Sequence, residues 1–224
     1  MSFDIAVTPT LQAVAMPDEE LLAQTLQARV QEAIASAEQQ PEVVAAFKTQ
    51  CAAEERLARL RKAERSLSRY SKETREQTAA AAETALDALI ESADSLSDRP
   101  DFKKLQPLTV LETHARYANR AIERIVEHRI PQAQLVSLRA EAFALMTRAR
   151  VIEAGAQDRA ERVLGQLRDA VTEEMVLPVD MSKGVAGALL AHAAGLKRCA
   201  VQISENADRL ERSYTDRLRL AGAR

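Results

Sequence analysis

The chain has 224 residues, 46% apolar and 29% charged, with six Gly, seven Pro, 42 Ala and seven aromatic residues, none of them Trp. So few large side chains exclude a thick aromatic core, and so little Gly and Pro beside so much charge excludes a disordered chain in favour of long helices that meet through small residues. The net charge of −2 conceals a segregation, with −6 on residues 1–42 and +4 on the remainder, which is read as solvated helix faces, with attraction between the N-terminal segment and the body as the alternative.

Residues 1–16 carry no basic segment ahead of their apolar residues, so no secretory signal is read there. They are expected to form a flexible arm that docks on a partner, and residues 17–224 a single elongated domain. Pro17 followed by Asp18, Glu19 and Glu20 predicts a helix start. That helix runs to about Gln39 on a stripe of Leu22, Leu26, Val30 and Ile34.

Pro41 opens a second helix that neither Gly nor Pro interrupts before about Ser97. At 1.5 Å per residue it is roughly 85 Å long and demands an equally long partner, from this chain or from a second copy. Its expected stripe is Val44, Phe47, Cys51, Leu57, Leu60, Leu67, Leu86, Leu89, Ile90, Ala93 and Leu96. Between Ser68 and Thr84 large apolar residues are scarce, which predicts an exposed stalk or a break.

A turn at 98–101 precedes a third helix with Leu108, Leu111, Ala115, Ala118, Ile122, Ile125 and Arg129 at steps of three and four. At Pro131 a tight turn or strong kink is expected, because the residue before Pro is pushed out of the α region. A fourth helix follows to about Leu177, carrying Leu135, Leu138, Ala142, Leu145, Ala149 and Ile152 on one face, with Gly155 and Gly165 as bend points. Ser182 is read as the N-cap of a fifth helix ending near Leu220.

That fifth helix holds a heptad seam of Val185, Leu189, His192, Leu196, Cys199, Ile203, Asn206 and Leu210, continued by Ser213, Arg217 and Leu220. Asn206 is expected to select its register, and Cys51 and Cys199 to be small buried groups in a reducing compartment. Gly187, Ala191 and Gly195 are expected to let a neighbouring helix approach closely.

Motifs of catalysis are absent from the sequence: there is no phosphate-binding Gly loop, His-Glu-x-x-His or paired Cys-x-x-Cys. Glu112 and Glu127 stand two residues and one residue from His114 and His128, so neither pair shares a helix face. No enzyme activity, metal or cofactor is therefore expected. The groups available to a pocket between helices are His114, His128, His192 and Tyr117. Two basic stripes, Arg61, Arg65 and Arg69 and then Arg116, Arg120 and Arg124, are spaced for salt-dependent phosphate binding.

The fold expected is all-α, an elongated bundle of about five helices with coiled-coil-like packing, the long ones near 41–97, 131–177 and 182–220. The expected role is that of a cytoplasmic scaffold, adaptor or structural subunit, partnered by another protein or by itself as a homo-oligomer, and not by a membrane. The alternative is nucleic-acid binding through the Arg stripes.

Overall fold

The computed structural model describes residues 19–94, 106–170 and 181–222, with side chains over 24–91, 107–166 and 184–220. The described part is an all-α bundle without a strand. The helices are α1 (Glu19–Glu38), α2 (Pro41–Asp94), α3 (Gln106–Arg124), α4 (Ile130–Ala154), α5 (Ala156–Ala170) and α6 (Met181–Gly222). Expectations for residues 1–16, for Leu96 and for the connectors around 98–101 and 171–180 lie outside the described residues, as do the side chains of Leu22 and Ala93.

Helix α2 is unbroken, 54 residues and about 80 Å long. Apart from Cys51 and Leu89, two residues of the expected stripe that are half-buried on its flank, the buried and half-buried positions follow one heptad register from end to end: Val43, Ala46, Gln50, Ala53, Leu57, Leu60, Glu64, Leu67, Ser71, Thr74, Thr78, Ala81, Ala85 and Ala88. The expected stripe is corrected here. Leu57, Leu60 and Leu67 belong to the seam, but Val44, Phe47, Leu86 and Ile90 are exposed, because the alanines beside them let the neighbouring helix come closer than larger residues would. The apolar-poor stretch neither breaks nor stands bare. There Ser71 Oγ donates to Asn119 Oδ1 at 2.6 Å, Arg75 donates to the same oxygen at 2.8 Å, and Tyr70 and His114 share a 2.8 Å hydrogen bond. These contacts hold α3 against α2, and because Phe143 and Thr147 of α4 meet Ala45, Ala46 and Thr49 earlier in α2, α3 and α4 run antiparallel to α2.

The turn expected at Pro131 is also corrected. Helices α3 and α4 form one continuous rod through a π turn, Ile125–Arg129, closed by the Ile130 N–H donating to the Ile125 carbonyl five residues back. The wider turn accommodates the ring and missing donor of Pro131. It also inserts one residue into the heptad. The seam Leu108, Leu111, Ala115, Ala118, Ile122, Ile125 therefore resumes at Ile130, Ala133, Ser137, Ala140, Ala144 and Thr147, all buried or half-buried, while Arg129 is left outside.

Helix α4 is the middle layer, since it packs on both α2 and α6 while α2 and α6 do not touch. Its Ala144 side meets α2, where Phe143 and Thr147 share a groove with Ala45, Ala46 and Thr49. Its opposite face is the expected stripe from Leu135 to Ile152, which is buried or half-buried throughout. Ala149 and Ile152 join Leu189 and Ala193 of α6, Ile34 and Ala37 of α1 and Val163 of α5 in the main apolar cluster.

Gly155 does interrupt the helix, and α5 begins at the next residue, whereas Gly165 lies within α5 without interrupting it. The Arg159 guanidinium folds back over Gly155 and donates to the Val151 and Ile152 carbonyls at 2.8 and 3.3 Å, capping α4. A Cβ at Gly155 would stand 2.5 Å from Arg159 Nη1, so glycine is what leaves room for this cap. Burial, reinforced by Arg162 and opposed by Asp158, holds the Arg159 guanidinium below its usual range. Helix α6 starts at Met181, which puts Ser182 in the first turn rather than at the cap.

Candidate interaction surfaces

Four of the large residues expected in the α6 seam, Leu189, Leu196, Ile203 and Leu210, point into the bundle, together with Val185. The other half is corrected by one residue. Ala186, Ala193, Ala200 and Ala207 are buried and Tyr214 half-buried, whereas Cys199, Asn206, Ser213, Arg217 and Leu220 are exposed and His192 stands half-buried on the flank. From a Leu repeated every seven residues, steps of three and of four lead to equally regular companions. The choice falls to alanine because α4 already brings Leu138, Leu145 and Ile152 into the contact, and a small opposing residue lets the axes approach. The signal was legible: three of the four companions at step four are Ala, while those at step three are His, Cys, Asn and Ser.

The small-residue stripe of α6 is split: Gly184 and Ala188 line a groove against α1 and Gly195 is half-buried, but its middle meets no helix among the described residues. Gly187 and Ala191 are exposed, and a Cβ at Gly187 would meet nothing within 4 Å. Cys199 is exposed and Cys51 half-buried, both as free thiols.

Three ion pairs cross between helices of the body, all with side chains about a third exposed or more. Arg139 binds Glu211 at 2.7 Å, Lys197 binds Glu153 at 2.5 Å, and Arg148 binds Glu38, which ties α1 to α4. Burial pushes the Arg148 guanidinium below its usual range.

The Arg stripes behave differently. All six residues are exposed, and none has an ion-pair partner within 4.0 Å among the described residues. Because the hairpin runs antiparallel, the segment 56–72 of α2 lies alongside 116–129 of the rod. Together these two segments hold eleven basic residues against three acidic ones, and with Glu55 and Glu76, which pair with Arg59 and Lys72 from just outside the segment, the net is +6. Sequence reading took them separately and so missed the sum.

The groups named for a pocket do not assemble. His114 bonds Tyr70, His128 lies 3.4 Å from the Tyr214 hydroxyl, and Tyr117 is exposed. His192 lines a groove between α1 and α6 with Leu26, Val30, Ile34 and Val185, and its buried Nε2 has no hydrogen-bond partner among the described residues. No group of three or more His, Cys, Asp or Glu among the described residues is placed to hold a metal ion. No described helix is long and apolar enough to cross a membrane.

The remaining surface is unusual in where its bulk lies. Phe47 and Phe143 are each 59% exposed, Val136 51%, and Val110, Leu190 and Val201 are exposed as well, while the seams beneath are lined largely by alanine. Val136 and Phe143 stand seven residues apart on one edge of the middle helix. Comparison with family models, with curated proteins and with solved structures found no match.

Proposed function

We propose that this chain is a non-enzymatic helical scaffold, adaptor or structural subunit of the cytoplasm, acting by association with another protein or with copies of itself. The observation that carries this reading is the inversion of size: alanine fills the seams while Phe143, Val136, Phe47 and Val44 face outward. Val136 and Phe143, seven residues apart on one edge of α4, form an exposed apolar strip of the kind another protein covers, while Val44 and Phe47 lie on the other flank of α2 from the Phe143 groove. The groove beside Phe143, walled by Ala45, Ala46, Thr49 and Thr147 and flanked by Glu42 and Arg150, has the apolar floor and polar rim of such a contact. Two free thiols fit a reducing setting.

Light scattering on the eluted full-length chain tests the self-association branch. A mass that is a multiple of 24.6 kDa, falling towards the single-chain value when Val136→Ser and Phe143→Ser are combined with helical circular dichroism unchanged, supports it. A single-chain mass at every concentration assigns the surface to a different protein. Loss of helicity in the double variant would show instead that these side chains serve the fold, against the reading.

A further inference from the structure

We propose that the waist of the molecule, where α2 between Arg56 and Lys72 runs beside Arg116–Arg129, is a sequence-independent binding site for the phosphodiester backbone of nucleic acid. The stripe arginines lack, among the described residues, the carboxylate partners that other cations of the bundle have. Elsewhere in the bundle, cations that reach across helices meet carboxylates, as Arg139, Lys197 and Arg148 do. At the waist, Arg61, Arg65 and Arg69 on one helix and Arg116, Arg120 and Arg124 on its neighbour meet none among the described residues. Each stripe is also like-charged at steps of four, an arrangement that disfavours its own helix. A ligand carrying regularly spaced negative charge relieves both.

Several features favour phosphate over the carboxylates of an acidic protein. Every stripe residue is arginine, whose planar guanidinium binds phosphate through two parallel hydrogen bonds. One step of four along a helix advances about 6 Å, so each stripe is a row of cations about 12 Å long. Tyr70 and Tyr117, 44% and 65% exposed, lie within the same girdle and offer rings on which unpaired bases stack. With the partners of Arg59 and Lys72 counted the girdle keeps a net of +6 although the whole chain is at −2, so the attraction is local and acts within about a Debye length.

The test uses the full-length chain and a labelled mixed-sequence 30-nucleotide DNA, single-stranded in one arm and duplex in the other, followed by fluorescence anisotropy from 50 to 300 mM salt. Binding in either arm is expected to weaken steeply with salt. Combining Arg61→Gln, Arg65→Gln and Arg69→Gln should lower affinity at least tenfold and make the logarithmic salt slope shallower by about two to three. The matched control neutralises three exposed arginines of α6, Arg198→Gln, Arg209→Gln and Arg212→Gln, and should change affinity less than threefold. Stronger binding in the single-stranded arm would assign a share to Tyr70 and Tyr117, and equal binding would leave the backbone alone as the ligand. Circular dichroism checks that each variant is folded; if the α2 triple fails, Arg116→Gln, Arg120→Gln and Arg124→Gln repeat the test on the other stripe. No binding at 50 mM salt, salt-independent binding, or equal loss in the α6 control overturns the proposal. Binding to poly-L-glutamate but not to either DNA also overturns it, in favour of an acidic protein surface.

Discussion

Leu189 and Phe143 are large apolar side chains on adjacent helices, yet Leu189 is fully buried and Phe143 is 59% exposed. Truncation should separate them. Leu189 sits in the main cluster with Ile152, Ala149 and Val163, so Leu189→Ala removes both buried area and packing and is expected to cost about 2–5 kcal/mol in urea unfolding. Phe143→Ala removes a side chain that is mostly in water and should change stability by no more than about 0.5 kcal/mol. A large loss from Phe143→Ala would mean that this ring is folded into a contact within the chain. His192 offers the opposite experiment. Its buried Nε2 has no partner among the described residues, and leaving such a group unsatisfied costs about 1–3 kcal/mol. His192→Leu, facing Val30 and Ile34 across the groove, is therefore expected to stabilise the chain by about 1 kcal/mol. A midpoint that moves down instead would show that the imidazole is satisfied in solution.

At the scale of the element, the π turn does two things that can be taken apart. It absorbs Pro131, and it supplies the extra residue that carries the α3 seam into the α4 seam. Deleting Val126, which is exposed, should turn the π turn into an ordinary α turn and keep Ala118, Ile122, Ala133 and Ser137 on one face. Pro131 would then sit in a regular helix interior, at a cost of about 3 kcal/mol. Deletion of Val126 alone is thus expected to destabilise by about that amount, and adding Pro131→Ala should restore most of it. If the double change is no more stable than the deletion, the extra residue serves something other than phase.

The same heptads explain how far the sequence could be read. Helix α2, the seam from Leu108 to Ile125 and the α4 stripe from Leu135 to Ile152 were legible because their large residues recur at the right spacing. The α6 seam and the ends of α2 were misread by one position, because hydrophobic size points to Phe47 or Leu86 while packing selects Ala46 and Ala85. The basic girdle was half legible. Each stripe is visible alone, but only the antiparallel hairpin lays segments about 60 residues apart in sequence side by side. The π turn had Pro131 as its signal, which marks a disturbance without saying whether the chain turns or continues.

Across the whole molecule, stability should be graded along α2. Its first half, Val43 to Leu60, packs on α4, which is itself backed by α6, and this end adjoins the main apolar cluster. Beyond the π turn the partner is α3, and α3 touches only α2 and the π turn among the described helices. In that two-helix portion the large apolar residues of the contact are Leu108, Leu111 and Ile122 of α3 and Leu89 at the end of α2, all only half-buried, and the α2 seam from Ser71 to Ala88 contains nothing larger than threonine. Burying a Leu contributes about 1.5–3 kcal/mol, and the small side chains of the seam bury far less. What they add is polar: the Ser71 hydrogen bond to Asn119 is worth only about 0.5–1.5 kcal/mol net. Thr74 and Thr78 bond back to carbonyls of their own helix at 2.5 and 2.7 Å, which satisfies them without joining the two helices. The hairpin beyond the waist should therefore open on its own, below the free energy of global unfolding. Native-state hydrogen exchange read by mass spectrometry is expected to show peptides covering 71–88 exchanging faster, and with weaker denaturant dependence, than those covering 43–60 of the same helix. Equal exchange free energies and equal denaturant slopes along α2 would make the helix one cooperative unit, and the girdle a rigid feature of the core rather than the base of a separable arm.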